Sequence, residues 1–124
     1  KDRSFDMIYS SHTLAHFYSP QKFFKEAFRV LKKDGKLVII TPNLCYMRLM
    51  KPLNILSIIK YNPDPNVLHY FSLRSLIMLL KQNKFLIKDA YHYGETADLV
   101  KIFSSINFFN RFRSRLIVCA QKKS

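Results

Sequence analysis

Two near-continuous apolar runs early in the chain, FDMIY (5–9) and KLVIIT (36–41), flank a stretch with helical spacing, and this arrangement limits the fold more than any other feature. Apolar runs without alternation are expected of strands covered on both faces, as in parallel sheets. Between them Ser19 is placed to cap a helix and Pro20 to occupy its first turn. Phe23, Phe24, Ala27, Phe28, Val30 and Leu31 recur at helical spacing and form a core-facing stripe. KKDGK supplies the stop: its basic residues suit the negative end of the helix dipole, and Asp34-Gly35 provides a turn. Strands joined through a helix pair in parallel, because the crossover carries the chain back over one sheet face.

The rest of the chain continues the alternation. LCYMRLMKPLNILSIIKY (44–61) is apolar but interrupted by Pro52, which predicts a broken helix or two short ones. The turn-rich NPDPN follows, and Ser72 opens a helix with Leu73, Leu76, Ile77 and Leu80 on one side. FLIKDAY (85–91) and RLIVCAQ (115–121) are predicted strands, the last running antiparallel to the first of this pair, with a helix expected over 97–110. The predicted fold class is α/β: a mostly parallel sheet with an antiparallel final strand and helices on both faces. With 124 residues, 48% of them hydrophobic, residues 1–124 are expected to form one folding unit.

A formal net charge of +13 raises the question of a nucleic-acid partner. The basic residues are scattered through every segment, with only RFRSR (111–115) as a concentration, and abundant Lys, Asn, Ile, Phe and Tyr match an AT-rich codon bias. Charge alone therefore points to solvated surface more than to a phosphate-binding stripe. Cys45 and Cys119 lack metal-knuckle or disulfide-framework spacing and read as core thiols. No apolar run approaches the roughly 18–20 residues a membrane span needs, so a cytoplasmic location is expected.

The stretch FDMIYSSHTLAHFYSPQKFFKEAFRVLKKDGKLVIITPN resembles the fourth strand, following helix and fifth strand of class I S-adenosylmethionine-dependent methyltransferases, in particular the small-molecule group that includes ubiquinone-biosynthesis enzymes. The matching elements are Phe5-Asp6, Leu14-Ala15-His16, Arg29-Val30-Leu31-Lys32, Gly35 and Thr41-Pro42-Asn43. HYFSLRSLIMLLKQNKF resembles the family's later helix and its entry into a Gly-Phe strand, with Lys84 where that family has glycine. The resemblance implies a Rossmann-like fold and S-adenosylmethionine as cofactor. It also implies three preceding strands carrying a Gly-rich turn and an acidic ribose ligand, and the only glycines here are Gly35 and Gly94. The chain is accordingly expected to be the C-terminal half of such an enzyme, not to bind the cofactor alone, and to leave its first strand with an unpaired edge open to self-association over Phe5 to Tyr9.

By the same resemblance, Ser10, Ser11 and His12 line the methionine side of the cofactor and His16 faces the acceptor. His16 has two readings, a proton acceptor or a structural hydrogen-bonding residue at a strand-to-helix junction. Asn43, His69 and Tyr70 are placed beside a small-molecule, glycan or lipid-linked acceptor, and 44–61 corresponds to the segment that shapes its lid. Arg48, Lys51 and Lys60 there suit an amphiphilic or anionic acceptor. HTLAH lacks the glutamate of a zinc-protease helix and a third ligand, so no metal is expected. The alternative function is a non-catalytic remnant or interaction module that binds a partner protein, membrane surface or RNA.

Overall fold

A computed structural model describes residues 2–55, 64–94 and 111–123. The elements are β1 (Phe5–Ser11), a 3-10 turn (Leu14–His16), α1 (Pro20–Val30), β2 (Leu31–Pro42), α2 (Leu44–Ile55), α3 (Leu73–Gln82), β3 (Phe85–Tyr93) and β4 (Arg115–Lys122). The helix expected over 97–110 lies outside the described residues.

The strands form one mixed sheet in the order β1-β2-β4-β3. β1 pairs parallel with β2, while β4 lies antiparallel between β2 and β3. Three strands thus share a direction and the final strand opposes them, as predicted. Antiparallel neighbours do not require the crossover that parallel strands need.

One core fixes this arrangement. Leu37 and Ile39 of β2 and Leu116, Val118 and Ala120 of β4 present one sheet face to Phe24 and Ala27 of α1 and Leu76 and Leu80 of α3. Burying a side chain of this size contributes about 1.5–3 kcal/mol. Both helices therefore sit on the same face. On the other face Val38, Ile40, Ile117 and Cys119 are half-buried and Met7, Tyr9 and Tyr91 are exposed. The α/β fold class is as expected, a mixed sheet with an antiparallel final strand and α1 and α3 packed on one of its faces.

Helix boundaries follow the capping chemistry. Ser19 accepts the Lys22 N–H at 3.5 Å with Pro20 in the first turn, and Ser72 and Ser75 form a reciprocal capping box at the start of α3. Two boundaries differ from expectation. α1 stops at Val30 and Leu31 already belongs to β2, so KKDGK is an irregular strand entry, with Phe5 opposite Leu31 and Met7 opposite Lys36. The turn is still where Asp34 places it, at φ 61°. The second difference is α2, which continues through Pro52 to Ile55. Proline there removes one intrahelical hydrogen bond, and the packing of Met50 with Tyr46, Leu49, Leu53 and Phe112 holds the helix across it.

Lys84, between α3 and β3, has φ 64°, a left-handed conformation that disfavours any residue with a Cβ. Lys84→Gly is expected to stabilise the chain by about 0.5–1 kcal/mol, the conformational relief exceeding the entropy glycine adds to the unfolded state. A denaturation midpoint at or below that of the parent chain would show that the site does not carry this strain.

Candidate functional site

The parallel strands β1 and β2 end side by side, and the sequence there turns from apolar to polar: Ser10, Ser11 and His12 on one, Thr41, Pro42 and Asn43 on the other. The His12 N–H donates to the Ile40 carbonyl at 2.7 Å, which carries the pairing one residue beyond β1. His12 itself has φ 58°, so the chain bends sharply as it leaves the sheet. Its Nδ1 lies 3.0 Å from Ser11 Oγ, and Thr13 Oγ1 donates to the Ser11 carbonyl. Partial burial, reinforced by the positive charges of Arg115 and His16, pushes His12 below the ordinary histidine range.

Next comes the 3-10 turn, whose Leu14 and Ala15 are fully buried and thereby anchor the half-buried His16. His16 Nδ1 is 2.9 Å from the Asn66 carbonyl. A carbonyl only accepts, so Nδ1 is the protonated nitrogen and, in the neutral ring, Nε2 keeps its lone pair. Asn66 is held in turn by its own N–H donating to Asp64 Oδ1 at 2.8 Å. The Leu68 and His69 N–H groups both donate to the Ala15 carbonyl, at 2.9 and 3.0 Å. Residues 64–69 are thus strapped over the turn, and the strap brings His69 to the segment that carries His16. Tyr70 follows it, its hydroxyl pushed above the ordinary tyrosine range by burial and then by the Asp64 charge.

Asn43 is fully buried. Its Nδ2 donates to the carbonyls of Arg111 and Arg113, at 2.8 and 2.7 Å, and its Oδ1 accepts the Cys45 N–H at 3.0 Å. Its backbone N–H donates to the Ser114 carbonyl, and Leu44 N–H donates to Phe71. Expected beside an acceptor, Asn43 instead has both side-chain donors committed to the backbone and no surface toward a ligand. It ties the end of β2 to the approach to β4.

Ser10 and Ser11 divide in the same way. Ser11 is exposed beside His12, while Ser10 turns toward the core at 5% exposure. Ser10 Oγ and Thr41 Oγ1 are buried and find no hydrogen-bond partner among the described residues. Each such hydroxyl costs about 1–3 kcal/mol unless something satisfies it. Neither Asn66 nor the partners of Asn43 were legible in the sequence, because the bonds are to backbone carbonyls far along the chain. The one available signal was the Pro-Asp-Pro-Asn composition, which marks a turn but not what the turn rests on.

Residues 1–39 match the family model described as a methyltransferase domain. Among curated proteins none matches the chain. Solved structures do: an S-adenosylmethionine-dependent methyltransferase from Mesorhizobium loti aligns with TM-score 0.67 and 17% identity over 98% of this chain and 63% of its own. One from Methanosarcina mazei aligns with TM-score 0.65 and 20% identity over 98% of this chain and 61% of its own. The chain therefore spans less than two thirds of the length of either structure.

Proposed function

Proceeding from a chain with the class I S-adenosylmethionine-dependent methyltransferase fold, we propose that it forms the C-terminal portion of such an enzyme and supplies its acceptor side. The observation that carries this reading is the convergence of His12, His16 and the 64–69 strap at the carboxyl ends of parallel strands, where open α/β sheets bind ligands.

The cofactor supplies an electrophilic methyl group on a sulfonium. On the protein's side, Ser11 and His12 border the methionine end, and the hydroxyls of Ser10 and Thr41, which have no partner among the described residues, are donors that a polar ligand group reaching the strand ends would satisfy. The fit is one-sided. Gly35 lies at the amino end of the sheet and Gly94 beyond β3, so no glycine at the end of β1 lets backbone approach a nucleotide. His16, with Nδ1 held by the Asn66 carbonyl, presents Nε2 to take a proton from the acceptor while that carbonyl supports the imidazolium that forms. His69 and Tyr70 border the acceptor, a small molecule, glycan or lipid-linked compound, and Asn43 holds the loops around it.

Calorimetry tests the division of labour. The chain alone is expected to show no saturable binding of S-adenosylmethionine at micromolar concentration. A longer polypeptide that adds the Gly-rich strand and turn is expected to bind it and to transfer a labelled methyl group. Micromolar affinity in the chain alone would overturn the assignment, as would a longer polypeptide that binds no cofactor.

A second reading, an interaction module, draws on β1. Among the described residues this strand has a neighbour on one side only, and its Phe5, Met7 and Tyr9 are 54%, 58% and 60% exposed. No lysine or proline within it discourages pairing with another strand. On this reading the chain self-associates along β1, and Met7→Lys raises the monomer fraction in sedimentation. A stable monomer of the unmodified chain across micromolar concentrations would remove the reading.

A further inference from the structure

His16 is held from across the fold by a short turn, residues 64–67, and the turn has a fastening of its own. Its sequence suits it: aspartate at the first position, and at the second Pro65, whose ring fixes φ. The Val67 N–H closes the turn by donating to the Asp64 carbonyl at 3.3 Å. That N–H shares a trans peptide unit with the Asn66 carbonyl, so pinning one aims the other in the opposite direction. The carbonyl is thereby directed at His16 Nδ1, 2.9 Å away. On the other side of the Asn66 Cα, the Asn66 N–H donates to Asp64 Oδ1 at 2.8 Å. Asp64 thus grips both peptide units that flank Asn66, one with its side chain and one with its backbone.

The downstream end of the strap is tied separately, by the Leu68 and His69 N–H groups on the Ala15 carbonyl. Bonds therefore run both ways between the strap and residues 15–16, and Asp64 braces the end that carries the Asn66 carbonyl. The consequence falls on the imidazole. Which nitrogen of a neutral histidine keeps the proton is set by the bond that the other nitrogen makes. While the carbonyl faces Nδ1, that nitrogen must donate, and Nε2 keeps the lone pair a base needs. A carbonyl that swings away leaves Nδ1 to water, which donates as well as accepts. The ring can then carry its proton on Nε2, where it takes none from an acceptor.

We infer that Asp64 is a positioning residue for His16: through Asn66 it holds the imidazole in the tautomer that leaves Nε2 free to accept a proton. The role presupposes the proposed function of His16 as proton acceptor and deepens it, naming a residue that lies 48 positions further along the chain and outside the strand ends.

Two measurements test it. Nitrogen-15 NMR of the chain itself, at about pH 8.5, above the ordinary histidine range, reads the His16 tautomer without any methyl transfer. Single-turnover methyl transfer by the complete polypeptide reads the chemistry. Asp64→Ala, at an exposed position, is expected to bring in the Nε2–H form of His16 and to lower turnover about threefold to tenfold, with cofactor affinity unchanged. Asp64→Asn keeps an oxygen that accepts the Asn66 N–H, and is expected to preserve the Nδ1–H form and turnover within about twofold. A His16 that stays entirely Nδ1–H in Asp64→Ala would overturn the inference while leaving His16 as the base. A changed tautomer with full turnover would instead remove His16 from the chemistry, and the role of Asp64 with it. Failure of Asp64→Asn to restore the Nδ1–H form, with circular dichroism intact, would also overturn the inference, since the accepting oxygen would then not be what holds Asn66.

Discussion

Replacing His16 with Asn or Gln in the complete methyl-transferring polypeptide is expected to lower turnover by a factor of about 10² to 10⁴, the range typical of losing a general base, with little change in cofactor affinity. The structure makes the two substitutions complementary. Asn keeps an N–H donor near the place of Nδ1, so it can still bond to the Asn66 carbonyl, but its amide takes no proton at neutral pH. Gln reaches toward the place of Nε2 and is equally inert as a base. If His16 served only to hold the 64–69 strap, Asn would restore turnover. Recovery of turnover in His16→Asn would therefore assign His16 to structure and remove it from the chemistry. The direct readouts are single-turnover methyl transfer and calorimetric cofactor binding, measured on the same preparations.

Asn43→Ala is expected to cost about 3 kcal/mol of stability. Three hydrogen bonds to backbone are lost at a fully buried position, and the carbonyls of Arg111 and Arg113 and the N–H of Cys45 are left to find other partners. Asn43→Asp is expected to be at least as damaging, since a carboxylate has no N–H to offer and would face those two carbonyls with like polarity. Chemical denaturation compares the three chains. A loss below about 1 kcal/mol in the alanine variant would mean the loop carbonyls rearrange freely, and Asn43 would no longer be the joint between β2 and the approach to β4.

These two residues also show where reading the sequence succeeds and where it stops. The strands, the caps at Ser19 and Ser72, the antiparallel final strand and the turn at Asp34 were all legible, because each depends on local backbone preference or on an apolar period that neighbouring residues set. His16 was legible as a candidate from its place after the first strand. Its tautomer was not, since that depends on a carbonyl supplied by residue 66 across the fold. Asn43 carried a misleading signal: a polar residue after an apolar strand is expected at a ligand, and only packing reveals that its amide is consumed by two carbonyls near β4.

The sequence by itself determined the α/β alternation, the position of the polar strand ends and the helix boundaries that capping controls, because these arise from interactions within a few residues. The tertiary structure decided the rest. It placed β4 between β2 and β3, gathered α1 and α3 on one sheet face, and carried α2 through Pro52 because packing around Met50 holds it. The physical reason is common to all of these. Hydrogen bonds and contacts between residues distant in sequence exist only once the sheet has closed, and no local preference encodes which distant backbone group a side chain will meet.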